Sequence, residues 1–478
     1  MIEFGSRGLQ RFGQPRRAWL SATVLTAAAA MCSVALADEA KRNDHAPTAN
    51  AWSAPLMFAQ AGGAVASAPQ AILRQLIDEA LKNSPEIAAA AREKEAAGHR
   101  VSPAGALDDP MIEAGLISVP IESWRLNRED MTMKMLGISQ RLPYPGKRGL
   151  REAVAEKDAE SVALGYRETV NRVVRDVKVA YYDLALADRS IEIVERNKQL
   201  VAQLLQIAEG RYSVGLGAQA DLLKVQTQLA KMDEELLRMR RERRSMEADL
   251  ARAVGRGAEG APIKSVMPGL GATRISFDEL SEAALRDRPQ LLGLKTLIDK
   301  NQKALDLARK DYYPDFDLRL QYGQRDKMLD GAPRSDLISL TLVINLPIWG
   351  KQKIEPKIAE AQAMREQAIS MLQAQQNELV AKLRQQVAIA EQSHESARLY
   401  ETGILPQARL ALESALAAYR VNRVDFPMLL DSQMTVLNFE INHAATVVGF
   451  NKALAEIDQL TGKSIPESQS TSSQGEKR

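Results

Sequence analysis

The chain has 478 residues, 45% hydrophobic and 26% charged, with a formal net charge of +2. Its first 37 residues hold four Arg and one Glu, a net of +3 that leaves the remainder near −1 and excludes a polyanion-binding protein. Cys32 is the only cysteine, which excludes an intrachain disulfide framework.

Residues 1–37 read as an export signal. Arg7, Arg11, Arg16 and Arg17 form a positive start, an apolar run follows from Trp19, and Ala35-Leu36-Ala37 gives a small-x-small cleavage site. An uncleaved anchor and a lipoprotein signal at Cys32 are the alternatives; bulky Met31 before that cysteine argues against the second. Residues 38–70, rich in Ala, Pro and Gly, are expected to be a disordered leader, and the Ser/Gln-rich 464–478 a disordered tail. After the signal no apolar run reaches the ~18 residues of a membrane-spanning helix, so any crossing must be made by a closed β-barrel.

Residues 71–105 have helical spacing with a weak point at Ser84-Pro85, and 110–119 and 131–142 have strand character. From Gly146 to Tyr212 there is no proline, and a helix of that length spans about 100 Å. Ser213 to Gly217 breaks it, and a second helix is expected over 220–254. The order then repeats: helix over 277–311, strands over 314–324 and 336–346, helix over 351–420 with a kink expected at Gly403 and Pro406, a turn, and a last helix ending at Thr461-Gly462. This gives a first structural repeat at 71–255, a linker at 256–276 and a second repeat at 277–463.

The duplication is visible residue by residue. Leu142-Pro143-Tyr144-Pro145-Gly146-Lys147 returns as Leu346-Pro347-Ile348-Trp349-Gly350-Lys351, 204 positions on, and Pro85 and Pro110 match Pro289 and Pro314. Further along, at an offset of 207, Tyr212, Leu222, Leu223, Gln226 and Gly255 answer to Tyr419, Leu429, Leu430, Gln433 and Gly462. Such a period is too long for a solenoid and marks two similar half-molecules.

In the second half Phe316, Leu318, Leu320 and Tyr322 alternate with Asp317, Arg319 and Gln321, and Ile338, Leu340, Leu342 and Ile344 with Ser339 and Thr341. That alternation suits a transmembrane barrel strand and also a half-buried strand of a soluble sheet. The export signal and the long helices favour the barrel. Four strands cannot close one; two copies of the chain give about eight strands and three about twelve, the latter wide enough for a lumen.

The run from Tyr212-Ser-Val-Gly-Leu-Gly-Ala-Gln-Ala-Asp221 to Leu223, with its partner Tyr419 to Leu430, resembles the hairpin tips of the TolC family of outer-membrane efflux channels. The resemblance covers about residues 71–463. It implies an α+β membrane protein: a homotrimer whose four strands per chain make a twelve-stranded β-barrel, continuous with a long α-helical coiled-coil periplasmic tunnel. It further implies a passive exit duct in the outer membrane, with a periplasmic adaptor and an inner-membrane RND pump as partners and no nucleic acid. Leu-Pro-Tyr-Pro-Gly-Lys-Arg after a strand resembles the CzcC-type branch that serves heavy-metal exporters. Channels of the same fold for small molecules or type I secretion, and a soluble periplasmic coiled-coil scaffold, are the rival readings.

No catalytic constellation stands out, and no cofactor is expected. His45, His99, His394 and His443 are scattered, without ligand spacing. Met131, Met133 and Met135 put three soft thioethers at strand spacing; with Thr132 and Lys134 between them, the methionines are expected to face lipid and Lys134 the lumen. Five arginines within residues 238–244 read as a solvated helix face. The resemblance makes Asp431 a candidate for an acidic ring at the periplasmic aperture, with Met428 standing where another acid is expected. Asp221 is a second aperture candidate or an internal brace of the tip. Tyr212, Gly215, Tyr419 and Asn422 are expected to shape the tips and dock the adaptor. Pro143, Gly146, Pro347 and Gly350 are expected at the joints between barrel and tunnel.

Overall fold

The chain pairs its two predicted strand regions into one antiparallel sheet. Strands β1 (Met111–Ile117), β2 (Met133–Leu142), β3 (Phe316–Gln324) and β4 (Leu337–Ile344) lie in the order β1-β2-β3-β4, so the central pairing joins the two halves. Registers run Ile112↔Ile138, Ile138↔Leu320 and Leu320↔Leu340, making one apolar rung across all four strands. The next such rung is Ala114, Leu136, Tyr322 and Ile338. Directly opposite residues share a face, so the alternation gives one apolar face and one bearing Glu113, Ser139, Asp317, Arg319, Gln321 and Thr341. The apolar face is exposed: Ile338 is 76% and Leu340 70% accessible. Both edges, β1 and β4, are unpaired among the described residues.

This computed structural model describes residues 68–257, 263–271 and 275–462. The expected export signal with Cys32, most of the leader with His45, and the tail at 464–478 lie outside the described residues. The described part begins in helix α1 (Ala68–Asn83), which overlaps the end of the expected leader, and continues with α2 (Pro85–His99) and α3 (Val101–Gly105). The predicted weak point is a real break: Ser84 is extended, at φ −64° and ψ 120°, and Pro85 opens α2, as a residue before proline requires. Arg288 before Pro289 makes the same break, between α6 (Phe277–Asp287) and α7 (Pro289–Lys310).

After β2 the chain enters α4 (Lys147–Ser213), 67 residues and ~100 Å long, then α5 (Gln219–Val254). After β4 comes α8 (Gly350–Leu399), which continues through a π-helical turn at Tyr400–Ile404 into α9 (Leu405–Arg420) and, past a turn, α10 (Phe426–Thr461). The π-helical turn thus falls where the kink is expected at Gly403 and Pro406. Pro406 falls in the first turn of α9, where a missing N–H is tolerated.

Helices α7 and α10 each pack between α4 and α8, while α5 and α2 cover another side of α4. The repeat governs these contacts. Ala80 and Ile87 are buried against α4, and their counterparts Ala284 and Leu291 are buried in the cluster of α8 and α10. The linker, extended from Ile263 to Gly271, crosses α4; Tyr181, fully buried, donates its hydroxyl to the Val266 carbonyl and accepts from the Val266 N–H.

Helices α5 and α10 both end on a left-handed glycine, Gly255 at φ +81° and Gly462 at φ +74°. Each backs onto the break described above. A Cβ on Gly255 would lie 2.6 Å from the Asn83 carbonyl, whereas one on Gly462 would lie 3.3 Å from that of Asp287. Both Gly→Ala changes carry the left-handed cost of about 1–2 kcal/mol, and only Gly255→Ala adds a backbone clash. Thermal melts followed by circular dichroism should therefore show Gly255→Ala as clearly the more destabilised variant.

Candidate functional site

Two regions gather the residues singled out in the sequence, the strand-to-helix joints and the hairpin tips. At the first joint Gly146 adopts φ +91° and turns the chain from β2 into α4. Lys147, with its side chain 4% exposed, donates to Asp315 Oδ1 at 2.8 Å and to the Tyr313 carbonyl at 3.0 Å. The Tyr144 N–H donates to the same Asp315 oxygen at 2.9 Å, and the Tyr144 and Tyr313 rings stack at 4.5 Å. Burial pushes the Asp315 carboxyl up, but these two donors outweigh it and hold the group below its ordinary value. Its ionised form thus stabilises the joint above the usual carboxylate range, a contribution lost as pH falls through the lowered value. Pro143 is half-buried beside this cluster.

The second joint is built differently. Gly350 opens α8, where a Cβ would come within 3.1 Å of the half-exposed Tyr312 ring, a tight contact that this ring would have to yield to. Pro347 is half-buried, but Leu346, Ile348 and Trp349 are exposed, and so is Lys351.

The tips turn alike. Gly215 at φ +74° and its repeat partner Asn422 at φ +63° supply the left-handed residue. Each helix end closes with matching bonds: Gly215 N–H to Tyr212 O at 3.0 Å and Leu216 N–H to Arg211 O at 2.9 Å, against Asn422 N–H to Tyr419 O at 3.1 Å and Arg423 N–H to Ala418 O at 2.9 Å. What joins them is Arg211, which sequence reasoning missed. Its guanidinium donates to the Tyr419 carbonyl, to Asn422 Oδ1 at 2.6 Å and to the Leu216 carbonyl at 3.3 Å, and lies over the Tyr419 ring at 4.4 Å. The available signal was an asymmetry in the repeat, since Ala418 stands where Arg211 does.

Tyr212 is 47% exposed, whereas Tyr419 is 4% exposed and packs edge-on against Phe426 at 5.5 Å. The expectation that Tyr419 offers a docking surface is thereby corrected: its ring is internal packing. Burial pushes its phenol above the ordinary value, with Arg211 opposing and Asp221 adding to the shift. Asp221 is half-buried near this ring, and Asp431 is exposed on α10. A second tie, from Gln433 to Asn197, is buried between α10 and α4.

The methionines also need correction. Met133 and Met135 share the polar face of the sheet, because Leu136 and Ile138 own the apolar one. Lys134 lies at the rim of the apolar face and pairs with Asp326 at 3.1 Å. A long stem lets a lysine do this, carrying its charge to the polar boundary. Met131 precedes the strand. Among the described residues no group of three or more His, Cys, Asp and Glu has a metal-binding arrangement. The arginines of α5 are largely ion-paired, partly within the helix (Arg238 with Glu242) and partly with α4 (Arg240 with Glu195, Arg243 with Asp188).

The sequence model of the Outer membrane efflux protein family matches residues 76–256 and 280–462. This chain belongs to that family. It is an outer-membrane channel protein and not an enzyme. Similar solved structures include the outer-membrane channel OprN (TM-score 0.71, 16% identical, covering 82% of this chain and 90% of that one). VceC of Vibrio cholerae scores 0.69 at 18% identity, covering 82% and 96%, and CusC scores 0.69 at 14%, covering 82% and 92%. At these identities the likeness shows the fold. No curated protein matches the chain in sequence. Membership in the efflux family gives the two regions their meaning: the sheet is the membrane part, and no helix among the described residues is long and apolar enough to cross a membrane.

The Arg211 clasp makes a quantitative expectation. Arg211→Ala removes charge-assisted bonds and should lower the stability of the tip by about 1–3 kcal/mol. In a thermal-stability double-mutant cycle, Arg211 and Asn422 should couple, whereas Tyr419→Phe, which keeps carbonyl and ring, should behave as the parent.

Proposed function

We propose that three copies of the chain form a twelve-stranded barrel and a periplasmic helical tunnel, and that this channel is the passive exit duct of a tripartite exporter of heavy-metal cations. The observation that carries the channel reading is the sheet itself. One face is apolar and exposed on its two central rungs, with Lys134 and Gln324 at its rim, the other face carries Glu113, Ser139, Asp317, Arg319, Gln321 and Thr341, and both edges are open among the described residues. In hydrocarbon an open edge leaves backbone groups unpaired at several kcal/mol each, so closure by further copies is required. Family membership supports the efflux role, and the Leu142-to-Arg148 joint, which resembles the CzcC-type branch, supports metal cargo.

In this reading the tips form the periplasmic aperture. Tyr212, Gly215 and Asn422 contribute to the surface met by the adaptor, and separation of the tips in response to adaptor and pump opens the duct. Asp431, exposed on α10 with a carboxylate that has no hydrogen-bond or ion-pair partner among the described residues, becomes a ring of carboxylates under threefold symmetry. Such a ring attracts cations. Asp221, half-buried in the first turn of α5, stands inside the first tip rather than on its outer face.

Two measurements test this. In planar bilayers Asp431→Ala should lower cation selectivity while the channel still forms; unchanged conductance and selectivity would remove Asp431 from the aperture. A deletion strain grown against a panel of metals and organic toxicants should be sensitised to metals. Sensitivity confined to organic compounds would transfer the duct to small-molecule efflux and refute the metal reading.

A further inference from the structure

The contact between the two halves of one chain is a template for the contact between chains. Where β2 passes into α4, Lys147 is buried against the segment entering β3, paired with Asp315 and, at 3.8 Å, with Asp311. Where β4 passes into α8, the equivalent Lys351 is exposed, and its ammonium has no ion pair or hydrogen bond among the described residues. The same offset carries Tyr312-Tyr313-Pro314 back to Asp108-Asp109-Pro110, at the entrance to β1, the other open edge.

The chemistry there is exchanged rather than copied. Asp311 and Asp315 are replaced by Leu107 and Met111, while Tyr312 and Tyr313 are replaced by Asp108 and Asp109. Both aspartates are exposed, and neither carboxylate has a partner among the described residues. Leu107 and Met111 are exposed as well, as are Leu346 and Ile348 beside Lys351. Each open edge therefore presents unpaired charge next to uncovered apolar side chains, with opposite signs on the two edges. The strand order is antiparallel throughout, so a β1 of a second copy placed beside β4 continues the pattern.

We propose that Lys351 of each chain pairs with the Asp108-Asp109 carboxylates of a second copy, while Leu346 and Ile348 cover Leu107 and Met111. This joint would pin the register between chains at the rim of the barrel. A slip of one residue turns every side chain to the wrong face, and slipping would also separate the charges.

The proposal rests on the reading that copies of the chain close the barrel, and the test keeps the two apart. In the full-length protein carrying Cys32→Ser, Lys351→Cys is combined with Asp109→Cys or Asp108→Cys, and the outer-membrane fraction is oxidised. Covalent trimers are expected from at least one pair. In detergent, Lys351→Glu should lower the temperature at which the trimer dissociates, and adding Asp108→Lys with Asp109→Lys should restore it. A parent protein that is trimeric while no pair crosslinks and the reversed charges do not restore stability would overturn the proposal alone. A parent protein that is monomeric in mild detergent would overturn the closure reading and the proposal with it.

Discussion

Everything in this molecule follows from two rows of unpaired backbone groups. A sheet of four strands with one apolar face is suited to lipid only if its edges meet other edges. The chain has both an open β1 and an open β4. Further copies must supply the missing neighbours, and that closure sets where the helices stand. Because both helical columns that leave the sheet, α4 and α8, start at the same rim, closing the strands into a ring also gathers the helices into a cylinder. The tips at the far end of each hairpin are then brought round a common axis without any contact of their own requiring it.

Duplication explains why this works with one chain, and its imperfections show where the chain is specialised. Gly215 and Asn422 solve the same turn with different left-handed residues. Lys147 has a partner inside the chain and Lys351 does not. Arg211 reaches from the first tip to the second, while Ala418 reaches nowhere. A duplicated gene that forms a ring has two kinds of interface to build from one ancestral design, and side-chain exchange at these positions is how the two diverge.

Local order was legible in the sequence, tertiary partnership less so. Most helix and strand ends fall within a few residues of expectation because proline, glycine and hydrophobic period act locally, as at Ser84-Pro85 and Gly255, whereas the single helix expected over 277–311 is broken at Arg288-Pro289. At Gly403, where a kink is expected, the helix carries a π-helical turn, a local irregularity of the kind at which helices bend. The faces of β2 were read the wrong way round. The charge of Lys134 points its own face away from lipid, yet the register with Leu320 and Tyr322 decides which face is apolar, and Lys134 stands at its rim. Tyr419 looked like surface because it occurs in a tip motif, and only the placement of Arg211 and Phe426 around it shows that it is core.

The most direct test of closure by copies is the mass of the assembly. The protein, extracted from outer membranes in mild detergent, is weighed by native mass spectrometry after the detergent is stripped. A single species of three chains is the predicted result. A stable monomer, or an assembly of two or four chains, would contradict a barrel built from three sets of four strands.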